Sequence, residues 1–332
     1  MKSPLENVQF NRLGRLKKPP EFPWKVFPSP RLHEPVQPPA CRIKKSVEMI
    51  DRLMATIPAD ILACRDSGLP VLCDAGEIMD LIPVLDLRHG LVVRGHAGQR
   101  GNYQPNTSLL IGSSRPQATI EALIQQFAPR YVYLADLDGI ENHQPQYELI
   151  GELVKCHVPL AVDAGTSSLE YARKLLDLGV QKVIIGLETL PQLDLMQDFI
   201  QEFGAEKILF SLDLMNGDCI GPDTAGHFPL EIAAAAIRAG VRQLIVLDIA
   251  QVGSNRGVST ISLCHSIKNR WPDLVIWTGG GVRSVIDLHK LSLSRVDGAM
   301  VASALHDGHI TPADWKNFLA LSNDQTQMAM DA

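Results

Sequence analysis

The chain is 332 residues long, 45% hydrophobic and 20% charged, with a formal net charge of −6. That composition suits a globular protein with a substantial core and excludes an overall basic nucleic-acid binder. No stretch approaches the roughly 18 apolar residues of a membrane span, and the opening MKSPLENVQFNRLGRLKKPP lacks the apolar segment of a secretory signal. The six cysteines form no CxxC pair and no zinc-finger spacing, so they read as reduced thiols of a soluble, cytoplasmic protein.

Residues 1–40 hold nine of the 22 prolines. Proline removes a backbone donor and disfavours helix at the preceding residue, so this segment is expected to be extended and irregular. It either wraps the domain through Phe22, Trp24 and Phe27 or stays disordered. Apolar spacing of three and four predicts a short helix over 44–56. Residues 1–80 are therefore taken as a Pro-rich, partly helical extension, 81–322 as the main domain and 323–332 as a flexible tail.

From Leu81 onward, short apolar runs alternate with amphipathic stretches. Strands are predicted at 81–87, 130–136, 158–164, 181–186, 207–214, 243–249, 273–279 and 296–302. Helical patterns follow them, as in RPQATIEALIQQFA, SSLEYARKLLDLG, PLEIAAAAIRAG and VRSVIDLHKL. Continuously apolar strands separated by helices imply parallel pairing with both faces covered. Eight such units predict an α/β fold of the closed (β/α)8 TIM-barrel type.

The two halves of this stretch also match. PVLDL answers to FSLDL, and VDAGTSS to TGGGVRS. Asp163 to Gly279 and Gly186 to Ala302 share one offset of 116 residues, the mark of two (βα)4 half-barrels.

Asp86 and Asp213 fall at the C-terminal ends of the first and fifth strands, where barrel enzymes place their sites. Two carboxylates facing one pocket suit paired acid and base work if their surroundings separate their pKa values. The alternative is that each caps a loop or pairs with a nearby cation. TGGGVRS lies between a strand and a helix, so Gly279, Gly280 and Gly281 predict an anion site, completed by Ala302 and Ser303 after the eighth strand. Gly165 and Thr166 occupy the matching place in the first half and are candidates for a second phosphate. Asp136 and Asp248, also at strand ends, either contact substrate or hold loops. His89, His96, His306 and His309 show no metal pattern.

The stretches PVLDLRHGLVVRG, FSLDLMNG, VLDIAQVGS, GGGVRS and VDGAMVASAL, in this order, resemble the HisA/HisF family of histidine biosynthesis. The resemblance covers about residues 80 to 310. It implies a ribulose-phosphate-binding barrel and, in the isomerase branch, an Amadori rearrangement of an aminoaldose to an aminoketose without cofactor. By this resemblance Asp86 is the base and Asp213 the acid, with Asp136, Asp248 and Ser254 toward the substrate. The implied partner is a small phosphorylated molecule; nothing points to nucleic acid or membrane, and a homo-oligomer is compatible. The cyclase branch instead requires a glutaminase, and no glutaminase domain is fused here.

The departures are specific. The family pattern Asp-Ile-x-Arg-Asp-Gly-Thr here reads Asp248 to Ser254, with Gln251 for Arg and Val252 for Asp. Lys-Asp-Gly becomes Arg88-His89-Gly90, and the first-half GGG becomes Asp163-Ala164-Gly165. The loop AGQRGNYQPNTSLL resembles HisA-like paralogues found with tetrahydromethanopterin-linked one-carbon metabolism. The resemblance thus implies a HisA-like isomerase of a phosphorylated sugar or aminosugar, related to histidine biosynthesis. The alternatives are a divergent paralogue with another substrate and a non-catalytic phosphometabolite-binding protein.

Overall fold

Eight apolar runs pair side by side in one parallel sheet that closes on itself. In this computed structural model, residues 78–330 are described, apart from positions 107, 110, 111, 223 and 225. The barrel strands are β1 (Asp80–Arg88), β4 (Val132–Asp136), β5 (Leu160–Asp163), β6 (Lys182–Gly186), β7 (Ile208–Met215), β9 (Gln243–Asp248), β10 (Val275–Gly279) and β11 (Gly298–Val301). Each pairs with the next, and β11 returns to pair with β1, so the sheet has no open edge. The closed (β/α)8 barrel expected from sequence is the observed fold.

Three short strands add to it. β2 (Leu91–Arg94) folds back antiparallel on β1, β3 (Gln104–Pro105) pairs with β2, and β8 (Asp218–Cys219) folds back on β7. Sequence patterning did not separate these extensions, because the turns His89-Gly90 and Asn216-Gly217 sit inside otherwise continuous runs. All four turn residues have positive φ, the conformation that hairpin turns need.

The outer layer is helical. The longer helices are α1 (Pro116–Phe127), α4 (Leu169–Asp177), α5 (Leu195–Phe203), α6 (Pro229–Arg238), α7 (Ile261–Arg270), α8 (Val285–Leu293) and α10 (Pro312–Met330). Shorter ones are α2 (Leu137–Asn142), α3 (Tyr147–Leu153) and α9 (Ser303–His306). Starts are set locally: Pro116 opens α1, and the Ser168 hydroxyl accepts from the Tyr171 N–H at the head of α4. The backbone of α10 runs through the segment read from sequence as a tail. Of the extension expected over residues 1–80, positions 1–77, with the helix at 44–56, lie outside the described residues.

Strand residues alternate between two cores. In β7, Phe210, Leu212 and Leu214 pack outward under the helices, while Leu209 turns into the barrel. Burying each such outward side chain contributes about 1.5–3 kcal/mol. Inside, Ile82, Tyr133, Ala161, Ile184, Leu209, Ile245, Trp277 and Met300 form a closed layer, so the barrel is plugged and chemistry is confined to its mouth.

Candidate active site

The same two-residue alternation sets which strand-end side chains enter the mouth. Asp86 follows Ile82 and Val84 in phase, Asp163 follows Ala161, and Asp213 follows Leu209 and Ser211. All three carboxylates line one mouth cavity with about 860 Å³ of open space. Register puts Asp86 opposite Ala135 and Ala135 opposite Asp163, so two carboxylates stand level, two strands apart. That is roughly 10 Å along the sheet at about 4.8 Å per strand. Between Asp163 and Asp213 lies Gly186: a Cβ there would sit 3.2 Å from Asp213 Oδ2 and 3.6 Å from Asp163 Oδ2. Glycine at 186 leaves that space to the two carboxylates.

Loops supply the rest. Arg100 and Tyr103, from the segment between β2 and β3, line the cavity. Arg100 donates from its two terminal guanidinium nitrogens to Glu188, one bond at 3.2 Å, with Glu188 carried on the turn after β6. Arg88 donates to Glu141 and to the Arg100 carbonyl, and so holds the loop that carries Arg100. His89 donates its N–H to Asp138 at 2.7 Å, outside the cavity. The Arg88-His89 departure therefore organises the loop rather than facing the mouth.

The electrostatics separate the three carboxyls. Burial pushes Asp86 up to about 6, against the pull of Arg100. Burial pushes Asp163 up to about 7; the Gly165 N–H, Arg100 and the Tyr133 hydroxyl oppose it, while Glu188 adds to it. Burial and the charge of Glu188 push Asp213 up to about 8, with Asp163 adding and the Ser211 hydroxyl and Glu188 N–H opposing. Burial lowers the Arg100 pKa, but Glu188, Asp163 and Glu141 more than offset this and hold it above its ordinary value. Asp213 takes the Ser211 hydroxyl at 2.6 Å and the Glu188 N–H at 3.3 Å.

Other sequence candidates sit elsewhere. Asp136 caps α2, accepting from the Gly139 N–H at 3.3 Å, the Gln146 N–H at 2.6 Å and the Gln146 side chain at 2.9 Å. Asp248 accepts from the N–H groups of Asn216, Gly217 and Ala250 at 3.0–3.1 Å and from the Ser259 hydroxyl at 3.4 Å. Both end their strands in the opposite phase from the inward residues Ala135 and Leu247, and both serve as loop anchors outside the cavity lining. Ser254 lies beside the cavity-lining Gly253 and Asn255, and its hydroxyl donates to the Gln251 side chain at 3.3 Å.

Gly280, Gly281, Ala302 and Ser303 line the cavity, the two glycines at φ +77° and +88°. Gly279 lies under them; a Cβ there would come within 2.4 Å of the Met300 carbonyl, so its role is close strand packing. Gly165 and Thr166 are set back from the cavity lining, and the buried Thr166 hydroxyl has no hydrogen-bond partner. Arg283 is engaged with Asp287 at 2.8 and 2.9 Å. Val252 lines the mouth beside Asp86: a Cβ at Gly95 would sit 2.8 Å from both Asp86 Oδ2 and Val252 Cγ1. Among the described residues no group of three or more His, Cys, Asp or Glu is placed to hold a metal ion, and no helix is long and apolar enough to cross a membrane.

A closed parallel barrel with inward carboxylates at its C-terminal strand ends defines a class: (β/α)8 proteins whose chemistry belongs at that face. The family described as "Histidine biosynthesis protein" matches residues 80–311, and the chain belongs to it. An uncharacterized protein of Methanocaldococcus jannaschii is 30% identical over 234 residues, covering 69% of this chain and 94% of that protein. A Shewanella loihica relative, named 1-(5-phosphoribosyl)-5-((5-phosphoribosylamino)methylideneamino)imidazole-4-carboxamide isomerase, is 30% identical over 235 residues, 68% of this chain and 93% of its own length. The protein of that name in Roseiflexus castenholzii is 27% identical over 238 residues, 70% of this chain and 96% of its own.

Proposed function

We propose that the chain is an aldose–ketose isomerase acting on a phosphorylated aminosugar, with Asp213 as acid and Asp86 as base. The observation that carries this reading is the pair of inward carboxyls in one cavity with separated pKa values. Near neutral pH Asp213 holds a proton and Asp86 does not. Asp213 gives its proton to the ring oxygen as the C1–O bond breaks, leaving C1 double-bonded to the amino nitrogen. Asp86 then takes the proton from C2; the electron pair of that bond forms the C1–C2 double bond while the C1–N double-bond pair returns to the nitrogen, giving an enaminol. C1 then gains a proton as the C2 hydroxyl gives up its own and becomes the ketone carbonyl, so two protons are given and two taken, and no net proton or electron is consumed. The Ser211 hydroxyl and Glu188 N–H stabilise the Asp213 carboxylate left after donation. The substrate phosphate is assigned to the turn Gly280-Gly281 with Ala302 and Ser303. A cytoplasmic setting agrees with the free thiols of Cys156, Cys219 and Cys264.

Val252 favours a substrate other than that of the histidine pathway. An apolar side chain stands beside Asp86 where the family pattern has a carboxylate. Two assays test the reading together. Phosphorylated aminoaldoses are expected to yield the aminoketose, whereas expression in a strain lacking the histidine-pathway isomerase is expected to leave it auxotrophic. Folded protein that turns over no member of an aminoaldose-phosphate panel overturns the isomerase reading; rescue of the strain overturns the divergent-substrate reading.

Gly95 supplies a further check. Gly95→Ala forces a methyl against the Asp86 carboxylate and Val252. Misplacing a reacting group by about 1 Å costs on the order of tenfold to a hundredfold. Steady-state kinetics are expected to show that loss mainly in kcat. Gly101→Ala in the same loop, where a Cβ meets nothing within 4 Å, is the control.

A further inference from the structure

We propose that Asp163 sets substrate selection: the cavity takes a molecule phosphorylated at one end only, whose other end donates hydrogen bonds to Asp163 through a hydroxyl or amino group. This rests on the isomerase reading above and adds the character of the substrate's far end.

The cavity has two unlike ends. At one, Gly280, Gly281, Ala302 and Ser303 present backbone and small side chains, with no carboxylate among them. At the other, Asp163 stands on β5 with Glu188 nearby, and the only cation lining the cavity among the described residues is Arg100. Arg100 is already committed to Glu188 through two bonds. A phosphate entering there meets two carboxylates without a free cation, in a site where like charges are poorly screened.

Asp163 itself lacks a full complement of donors. Its Oδ1 accepts the Gly165 N–H at 3.1 Å, but Oδ2 has only the Tyr133 hydroxyl at 3.5 Å. Asp163 is 6% exposed. A buried carboxylate oxygen ordinarily finds a close partner, and this one opens on the cavity and on the space over Gly186. A hydroxyl or amine of the substrate supplies the missing donor; a phosphate supplies none. The groups facing it are Tyr133, Glu188, Arg100 and Asp213. None offers an unengaged donor at short range.

Titration calorimetry on the full chain at pH 8, with ribulose 5-phosphate and ribulose 1,5-bisphosphate as probes, tests this. The monophosphate is expected to bind at least about tenfold tighter, the scale of one like-charge contact in a partly desolvated site. In Asp163→Asn that ratio is expected to fall about tenfold. Wild-type protein that binds the bisphosphate as tightly as the monophosphate overturns the proposal and leaves the acid–base reading standing. A ratio that Asp163→Asn does not move overturns the role given to Asp163. Binding of neither compound by wild-type protein removes the phosphorylated-substrate reading, and this proposal with it.

Discussion

Replacing Asp213 by Asn is expected to lower turnover by about 10² to 10⁴-fold, the usual contribution of a positioned general acid. Asn keeps the shape, and its one oxygen can still accept from the Glu188 N–H while its amide N–H donates to the Ser211 hydroxyl oxygen, so the loss is read as a lost proton. The pH dependence gives the sharper test. As base, Asp86 must be ionised, and kcat/KM rises as pH passes about 6. As acid, Asp213 must be protonated, and kcat/KM falls as pH passes about 8. The wild-type profile is therefore expected to be a bell with its maximum near neutral pH. Asp213→Asn should erase the alkaline limb from whatever rate remains, and Asp86→Asn the acid limb. A wild-type profile flat from pH 5 to 9, or an Asp213→Asn enzyme at full rate, sinks the assignment.

The proposed roles also agree with where the two groups sit. Asp213 shares its end of the cavity with Glu188 and Asp163, and each nearby negative charge makes ionisation harder. Asp86 stands two strands from Asp163 and feels Arg100. The third carboxylate thus helps to hold the proton on the acid. Asp163→Asn is expected to draw the alkaline limb toward lower pH as well as to change ligand selection.

The barrel was legible because its strands are buried on both faces. Continuous apolar runs bounded by Gly, Asp and Asn located all eight barrel strands to within two residues of their observed limits. The site was legible in part. LIPVLD and ILFSLD place Asp86 and Asp213 at strand ends, and both line the cavity. Asp136 and Asp248 stand at strand ends too, but one residue out of phase with the inward side chains. Counting by twos from Tyr133 and Ile245 separates them from Asp86, Asp163 and Asp213, and that signal was present in the sequence. The Arg100–Glu188 pair had no such signal. Its partners lie 88 residues apart in two loops, and only barrel closure brings those loops across the same mouth.

Stability should carry the mark of the same buried charges. The Asp163 and Asp213 carboxyls titrate near 7 and 8 in the folded chain, against about 3.9 in an unfolded one. The native state therefore holds protons that the unfolded state has already released. Between about pH 4 and pH 8 the free energy of unfolding falls as pH rises, by at most about 1.4 kcal/mol per pH unit for each group. Their stabilising contribution is complete below the unfolded value and is lost as pH climbs through the folded ones. Asp163→Asn removes one such titration while leaving an oxygen for the Gly165 N–H. At pH 8 the variant is expected to be more stable than the wild type by on the order of a few kcal/mol, and at pH 4 the gap should close. Urea denaturation at both pH values measures it directly. A variant less stable than wild type at pH 8 would mean that Asp163 is ionised at no cost to the fold, held by donors that the geometry at Oδ2 does not contain. A gain at pH 8 together with altered phosphate selection would trace both effects to one buried carboxylate, kept at the mouth for the ligand at the expense of the fold.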